Sequence, residues 1–447
     1  MSKSQVPVKI PFNMPAVKEP SFPDRGFDTR DYGAIGDGVA MNTKAIADAI
    51  DACNAAGGGR VIIPAGKWLT GPIHLKSNVN LRLEKDAEVH FSTNYSDYLP
   101  VVFTRFEGTE CYNYSPLIYA KDCNNIAVTG PGKLDGHGQA WWHWFDLQDD
   151  ANKRLLKMER DSVPVSERIF GIENGLRPSF LQPVNCRNVL LEDFTITNGP
   201  MWTIHPLYCE DTIIRNVSMI TEGHNGDGID PDSCRNMIIE NCCFSTEDDA
   251  VAIKSGRDSD GWRVAKPSEN IIIRNCKSQG GTWGGISIGS EISGDARNIF
   301  IHNCDFDGPN MGFFLKSRIG RGGIMENVWI QDIKINQVRN EVAYVTMYYW
   351  CGETPVSKKL PAFRNIHFKN LTCKKAKDAM KIEGLPEKFI ENMSLENIEI
   401  SAENGLTINN VKNLRLTNVN INPGKGPAIL LKDARNVTIL PEAQVSK

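Results

Sequence analysis

Five aspartates crowd one stretch of the 447-residue chain, HNGDGIDPDSCRNMIIENCCFSTEDDAVAIKSG, which begins at His224, and four of them could act together. Asp227 and Asp230 lie in its first part and the adjacent pair Asp248–Asp249 in its second. Met237 to Asn241, between them, reads as a short strand. Carboxyl groups gathered on one face can divide labour. One, kept protonated, delivers a proton to a leaving oxygen, while an ionised neighbour activates water, which is the chemistry of glycoside hydrolysis. Like-charge crowding raises at least one pKa and so supplies the protonated member near neutral pH. An oxygen-rich cluster has a second use, because calcium takes such ligands and Asp is frequent in turns. NGDGID resembles half of an EF-hand loop, although the helices such a loop needs are missing. On the residues alone both uses stand.

These aspartates share a face only if successive segments stack, and the sequence repeats in a way that predicts it. A small polar pair containing Asn precedes an apolar run at Asn78, Asn125, Asn188, Asn236, Asn270 and Asn298. The series continues at Asn327, Asn365, Asn392, Asn413 and Asn436. This is the spacing of a solenoid. Each repeat holds further short strands, such as Cys243–Phe244 and Val251–Ile253, and no helices between them. The pattern predicts an all-β parallel β-helix in which each coil hydrogen-bonds to the next. Inward Asn at the turns are expected to form a ladder that satisfies buried backbone groups. Asp227 and Asp248–Asp249 then fall about one coil apart, facing an outer groove suited to a linear polymer.

Three segments stand apart from the repeat. Residues 1–26 are Pro-rich and read as an extended arm, leaving 27–447 as a single β-helix domain. A helix is predicted over Ala45–Asn54, with Thr43 as N-cap, Gly57–Gly59 ending it and a strand at Arg60–Pro64. It would cap the raw edge of the stack. Residues 141–177 form a charged insertion with a helix near Asn152–Glu159. Its aromatic run, Trp141-Trp142-His143-Trp144, suits either stacking on sugar rings or a small core of its own.

Composition excludes several classes. The net charge of −4 gives no electrostatic reason to expect nucleic acid or an anionic membrane as partner. No run of 18 apolar residues suggests a membrane span. The 12 cysteines show neither CxxC pairs nor zinc spacing, and most sit in or beside apolar strands, so buried free thiols are expected. That tilts toward a reducing compartment. The N-terminus lacks an apolar signal core, which leaves the protein cytoplasmic, or periplasmic or secreted after loss of a signal peptide. Oligomeric state is not readable.

The order of several motifs carries a family resemblance over about residues 27–440. FDTRDYGAIGDG, GGGRVIIPAGKWLTGPIHLKSNVNL, TRFEGTECYNYSPLIYA, NGDGIDPDS, EDDAVAIKSGRD and IGSEISG follow one another as in the polygalacturonases of glycoside hydrolase family 28, the exo-acting bacterial branch most of all. The resemblance implies a right-handed single-stranded parallel β-helix. It also implies hydrolysis of α-linked galacturonate in pectic oligosaccharides with inversion, without cofactor or metal. The family's Asn-Thr-Asp motif falls on Asn225-Gly226-Asp227 and its Asp-Asp motif on Asp248-Asp249. By carry-over Asp248 is the general acid, while Asp227 and Asp249 hold and activate water. Asn225 joins the substrate-binding set.

Two positions depart from the family pattern. Its His before Ile-Gly-Ser is replaced by Trp283 in exo-type register, or by Gly284 in endo-type register. Its Arg-Ile-Lys is Phe314-Leu315-Lys316, so Lys316 survives and the Arg is Phe314. Losing Arg removes a bidentate carboxylate clamp that Lys cannot reproduce. An aromatic pair suits the apolar face of a neutral or deoxy sugar. A decorated or mixed polymer, such as a rhamnogalacturonan fragment, becomes a candidate substrate, and a carbohydrate-binding β-helix of reduced activity is a further alternative. A pectate-lyase-like eliminase ranks last, because that chemistry needs calcium and a cationic base. Tyr349 is expected to contact substrate, with Tyr344 and Tyr348 as rivals. Arg321 and Arg257 are candidates for positive charge in the groove. Lys254 is expected to face the groove, and His205 and His224 flank the aspartates.

Overall fold

The structure is a computed structural model that describes residues 8–171, 175–280, 283–350 and 355–441, and the backbone of 445–446. Residues 172–174 of the expected insertion and Gly281-Thr282 of the segment before Trp283 lie outside the described residues.

Apolar residues repeat once per coil at one register position. Leu81, Val128, Leu191, Ile214, Ile239, Ile273, Ile301, Ile330, Phe368 and Leu395 are paired in sequence by parallel strand contacts. All are buried. Each such Leu or Ile contributes roughly 1.5–3 kcal/mol by leaving water, so the stack forms one long core. The architecture is a right-handed parallel β-helix, as expected.

The recurring Asn residues do form a ladder. Asn125 donates to Asn78 at 3.0 Å and Asn270 to Asn236 at 3.1 Å; the chain of amides continues to Asn436 on Asn413 at 3.0 Å. They differ from expectation in direction. Each adopts left-handed backbone, such as φ 56° at Asn270, a conformation Asn tolerates better than other side chains with a Cβ. Most stay partly exposed, and the amides bond to one another along the turn instead of to buried backbone. Asp211, at φ 55°, takes the rung before Asn236 and accepts from it at 3.1 Å.

The capping helix spans Thr43–Ala55 and buries Ile46, Ala49, Ile50 and Cys53. Thr43 is not the N-cap. Asn42 holds that position, and Thr43 Oγ1 instead accepts from the Gly71 amide at 2.6 Å. The strand that follows is Gly59–Ile63. The N-terminal arm lies along the solenoid, with Phe12 against Trp329 and Val17 and Phe22 on Ala127, Leu190 and Ile213. The insertion folds into helices Gln139–Trp142 and Trp144–Arg160. Trp141 and Trp144 are buried against Tyr95 and Tyr114, so the aromatic run builds a local core. The eleven described cysteines are free thiols, and ten are buried.

Candidate active site

A second apolar column runs through Leu181, Ile204, Ile229, Val251, Ile286, Phe313, Ala343 and Met380. The turns that enter it carry the site. Coil-to-coil backbone bonds set their order: Thr203 N–H to Asp227 O at 2.9 Å, Gly228 N–H to Asp249 O at 2.9 Å, Ala250 N–H to Gly284 O at 2.9 Å and Met311 N–H to Trp283 O at 3.0 Å. Asp227, Asp249 and Trp283 therefore belong to three successive coils. One carboxylate oxygen from each of Asp227, Asp248 and Asp249 lies within 4.8 Å of the others, which is the rise of one coil. The sequence places these acids at a distance, and stacking unites them.

Burial and charge then differentiate the acids. Asp248, half-buried, is pushed up to about 7 by burial and by Asp249 beside it. Burial, with Asp230 and Asp248 alongside, raises Asp227 well above the carboxylate range, and burial raises Asp230 to about 8. Two acids in such contact share a proton. Lys254 stands behind them, with its ammonium 3.9 Å from Asp227, 3.6 Å from Asp230 and 3.6 Å from Glu291. It is buried and packs over Trp202 at 4.5 Å, so it supports the acids from inside. Asp249 instead accepts from Lys316 Nζ at 3.2 Å. The three acids could also ligate a hard cation, since oxygen ligands suit calcium.

Beside Asp248 opens a cleft of about 500 Å³ lined by Trp283, Phe314, Lys316, Tyr344, Tyr348 and Tyr349, among others. Strand register builds it. Ser287, Phe314, Tyr344 and Lys381 occupy one outward position on successive coils, so Phe314 stacks on Tyr344 at 5.4 Å and 9°. Lys316, two residues on, faces outward too, 4.4 Å above the Phe314 ring and 5.4 Å from that of Tyr349. Trp283 is 47% exposed at the mouth, with Tyr348 and Trp350 also open to solvent. Gly284 cannot substitute for Trp283 as the position of a larger side chain. A Cβ there would lie 2.2 Å from Asp249 Oδ1, so the exo-type register fits.

Other candidates take different places. Asn225 lies outside the residues lining the cleft, and its Oδ1 accepts from Arg177 at 2.7 Å. Arg321 and Arg257 are buried and do not line the cleft. Arg321 faces Glu291 at 3.5 Å, and Arg257 faces Glu107 at 3.6 Å. His205 is buried against Gln182 and Asp232. His224 is exposed and stacks on Phe145 at 4.5 Å. Sequence reasoning missed Arg177, which also donates to His224 O at 2.6 Å and reaches the turn before Asp227 from the insertion's end. Nothing local marks it. It also gave no role to Asp230, although the three-residue spacing from Asp227 marked it. Glu291 was missed too; burial pushes it up, but Lys254, Arg321 and Arg257 hold it well below the carboxylate range.

A parallel β-helix with clustered carboxyl groups beside an aromatic cleft defines a carbohydrate-active β-helix enzyme. Comparison with known proteins carries this further. The family model for glycosyl hydrolases family 28 matches residues 171–420, and one described as rhamnogalacturonase A/epimerase, pectate lyase-like, matches 26–82. The structure of a hyperthermoactive exopolygalacturonase from Thermotoga maritima is 41% identical, with a TM-score of 0.84, over 92% of this chain and 94% of that one. The exo-poly-α-D-galacturonosidase of Dickeya chrysanthemi is 26% identical over 87% of this chain and 70% of its own length. The endo-polygalacturonase of Pectobacterium carotovorum is 25% identical over 80% and 85%. The chain belongs to glycosyl hydrolases family 28 and is a glycosidase.

Proposed function

We propose that the protein hydrolyses α-linked galacturonate-containing pectic oligosaccharides from a chain end, with inversion, using Asp248 as general acid and Asp227 and Asp249 to hold and activate water. The observation that carries this is Asp248, raised to about 7 at the cleft and therefore able to donate a proton near neutral pH. Lys316 donates to Asp249 at 3.2 Å, and a cation beside it suits a group that takes a proton from water. The exo mode rests on the likeness to the Thermotoga maritima and Dickeya chrysanthemi exo-enzymes. The nearest oxygens of the three acids, within 4.8 Å, stand closer than the roughly 6.5–9.5 Å between acid and base in many inverting glycosidases. The anomer first formed, read by NMR during hydrolysis, therefore tests the stereochemistry directly. A retained configuration would overturn the role of water.

A second reading concerns the sugar beside the scissile bond. Trp283 and Phe314 stand where the resemblance expects His and Arg, and Lys316 is already engaged with Asp249. These observations favour a neutral or deoxy sugar there, as in a rhamnogalacturonan-type fragment. A panel of pectic oligosaccharides with product analysis separates the readings, with Asp248→Asn as control. Calcium-independent release of saturated ends supports hydrolysis, an unsaturated end would mean elimination, and binding without release would mean a carbohydrate-binding protein.

A further inference from the structure

Away from the carboxylates, Glu88, His90, Asp135 and His137 converge on two adjacent coils. Parallel pairing sets Lys133 opposite Glu88 and Asp135 opposite His90. His90 Nδ1 lies 3.0 Å from His137 Nε2, and the nearest ligand atoms of His90, His137 and Asp135 all fall within 4.8 Å of one another. Glu88 Oε2 sits 3.3 Å from the far nitrogen of His90. A proton placed on Nε2 facing that carboxylate would leave the Nδ1 lone pair directed toward His137. A carboxylate behind an imidazole is the arrangement that orients histidine ligands on metals. The chain holds His137 at φ 46°, a left-handed conformation that costs a side chain with a Cβ. Its glycine neighbours Gly136 and Gly138 pack so tightly on the next coil that a Cβ would meet Asn198 O at 2.5 Å or Gly199 O at 2.2 Å. The backbone that carries His137 is thereby held against the next coil.

We propose that His90, His137 and Asp135 bind one divalent transition-metal ion of tetragonal preference, Cu2+ or Ni2+, which staples these two coils together. With metal–nitrogen bonds of about 2.0–2.1 Å, two nitrogens 3.0 Å apart subtend about 94° at the ion. Asp135 Oδ1 lies 4.0 Å from His137 Nε2, a span that one ion bridges only with that oxygen nearly opposite the nitrogen, and right-angled and opposite donors together are a tetragonal arrangement. Imidazole donors exclude calcium and magnesium. The carboxylate of Asp135 also accepts from Asn198 at 2.9 Å, and Lys133 lies 3.3 Å from its other oxygen. Those contacts fix it beside the rings. Side-chain exposures of 20% and 40% for His90 and His137 leave a path for the ion.

Equilibrium dialysis of the chelator-treated full chain against Cu2+, Ni2+, Zn2+ and Ca2+ tests the site, with EPR of the copper form. One equivalent of Cu2+ is expected, held at least tenfold more tightly than Zn2+, with nitrogen hyperfine splitting from two imidazoles and no calcium uptake. His90→Ala and His137→Ala should each lose that equivalent. Glu88→Gln, an outlying carboxylate whose loss leaves the core untouched, should retain it with affinity lowered roughly 10–100-fold. Asp249→Asn should leave it unchanged. Copper uptake that survives both histidine variants, or vanishes in Asp249→Asn, would overturn the proposal. So would a wild-type protein that takes up none, which would mean a plain ring-to-ring hydrogen bond.

Discussion

Restoring a guanidinium at position 314 should return a carboxylate clamp to the cleft. Phe314 is 8% exposed, stacked on Tyr344 at 5.4 Å, with the Lys316 ammonium 4.4 Å above its ring. Phe314→Arg removes an aromatic pair worth about 0.5–1.5 kcal/mol, although a guanidinium can stack on Tyr344 in turn. It also sets two cations near each other. At 4.4 Å their repulsion is about 1 kcal/mol in water and about 4 kcal/mol at an effective dielectric of 20. The free variant should therefore melt lower than wild type. A galacturonate carboxylate entering between the cations relieves that repulsion and gains a charge-assisted bidentate contact of roughly 1.5–3 kcal/mol. The expected result is a rise of about 10–150-fold in kcat/KM for oligogalacturonides, with no gain on substrates bearing a neutral sugar at that subsite. Initial rates on both substrate types, with thermal melts to confirm folding, decide it. Wild type already as active on oligogalacturonides as the folded variant would refute the idea that Phe314 retargets the cleft.

Further predictions follow from the same site. Asp248→Asn should lower kcat by about 10²–10⁴-fold without loss of oligosaccharide binding by calorimetry. In wild type the alkaline limb of kcat/KM should fall near pH 7, because the acid works only while protonated. Lys316→Met removes a cation that lowers Asp248 and should move that limb to higher pH. The same residue sets a stability window. Its folded pKa of about 7 exceeds the ordinary 3.8, so the folded state is favoured below the ordinary value and loses that advantage as pH rises through 7. Asp248→Asn should accordingly stabilise the fold more at pH 8 than at pH 4, by at most about 4 kcal/mol, read as a larger rise in Tm at pH 8. Equal Tm shifts at the two pH values would contradict the raised pKa. Gly284→Ala places a methyl 2.2 Å from Asp249 Oδ1 and should reduce kcat sharply with little change in the far-UV CD spectrum.

The sequence alone determined the coil. A recurrent Asn before alternating apolar residues specifies left-handed turns and an inward stack, since both are local properties of residue type and period. It also marked the acidic turns, because Asp227, Asp248 and Asp249 lie in short motifs. Tertiary structure decided what distance along the chain conceals. Lys254 and Lys316 look alike in sequence, yet one is buried behind Asp227 and Asp230 while the other pairs with Asp249 in the cleft. Arg321 and Arg257 looked like groove cations and proved to be buried partners of acids. Arg177 reached Asn225 from an insertion 48 residues away. Which acid holds its proton, and which side chain meets sugar, depends on charges brought together by coil stacking. Those fields fall off over a few ångströms, so only the folded chain sets them.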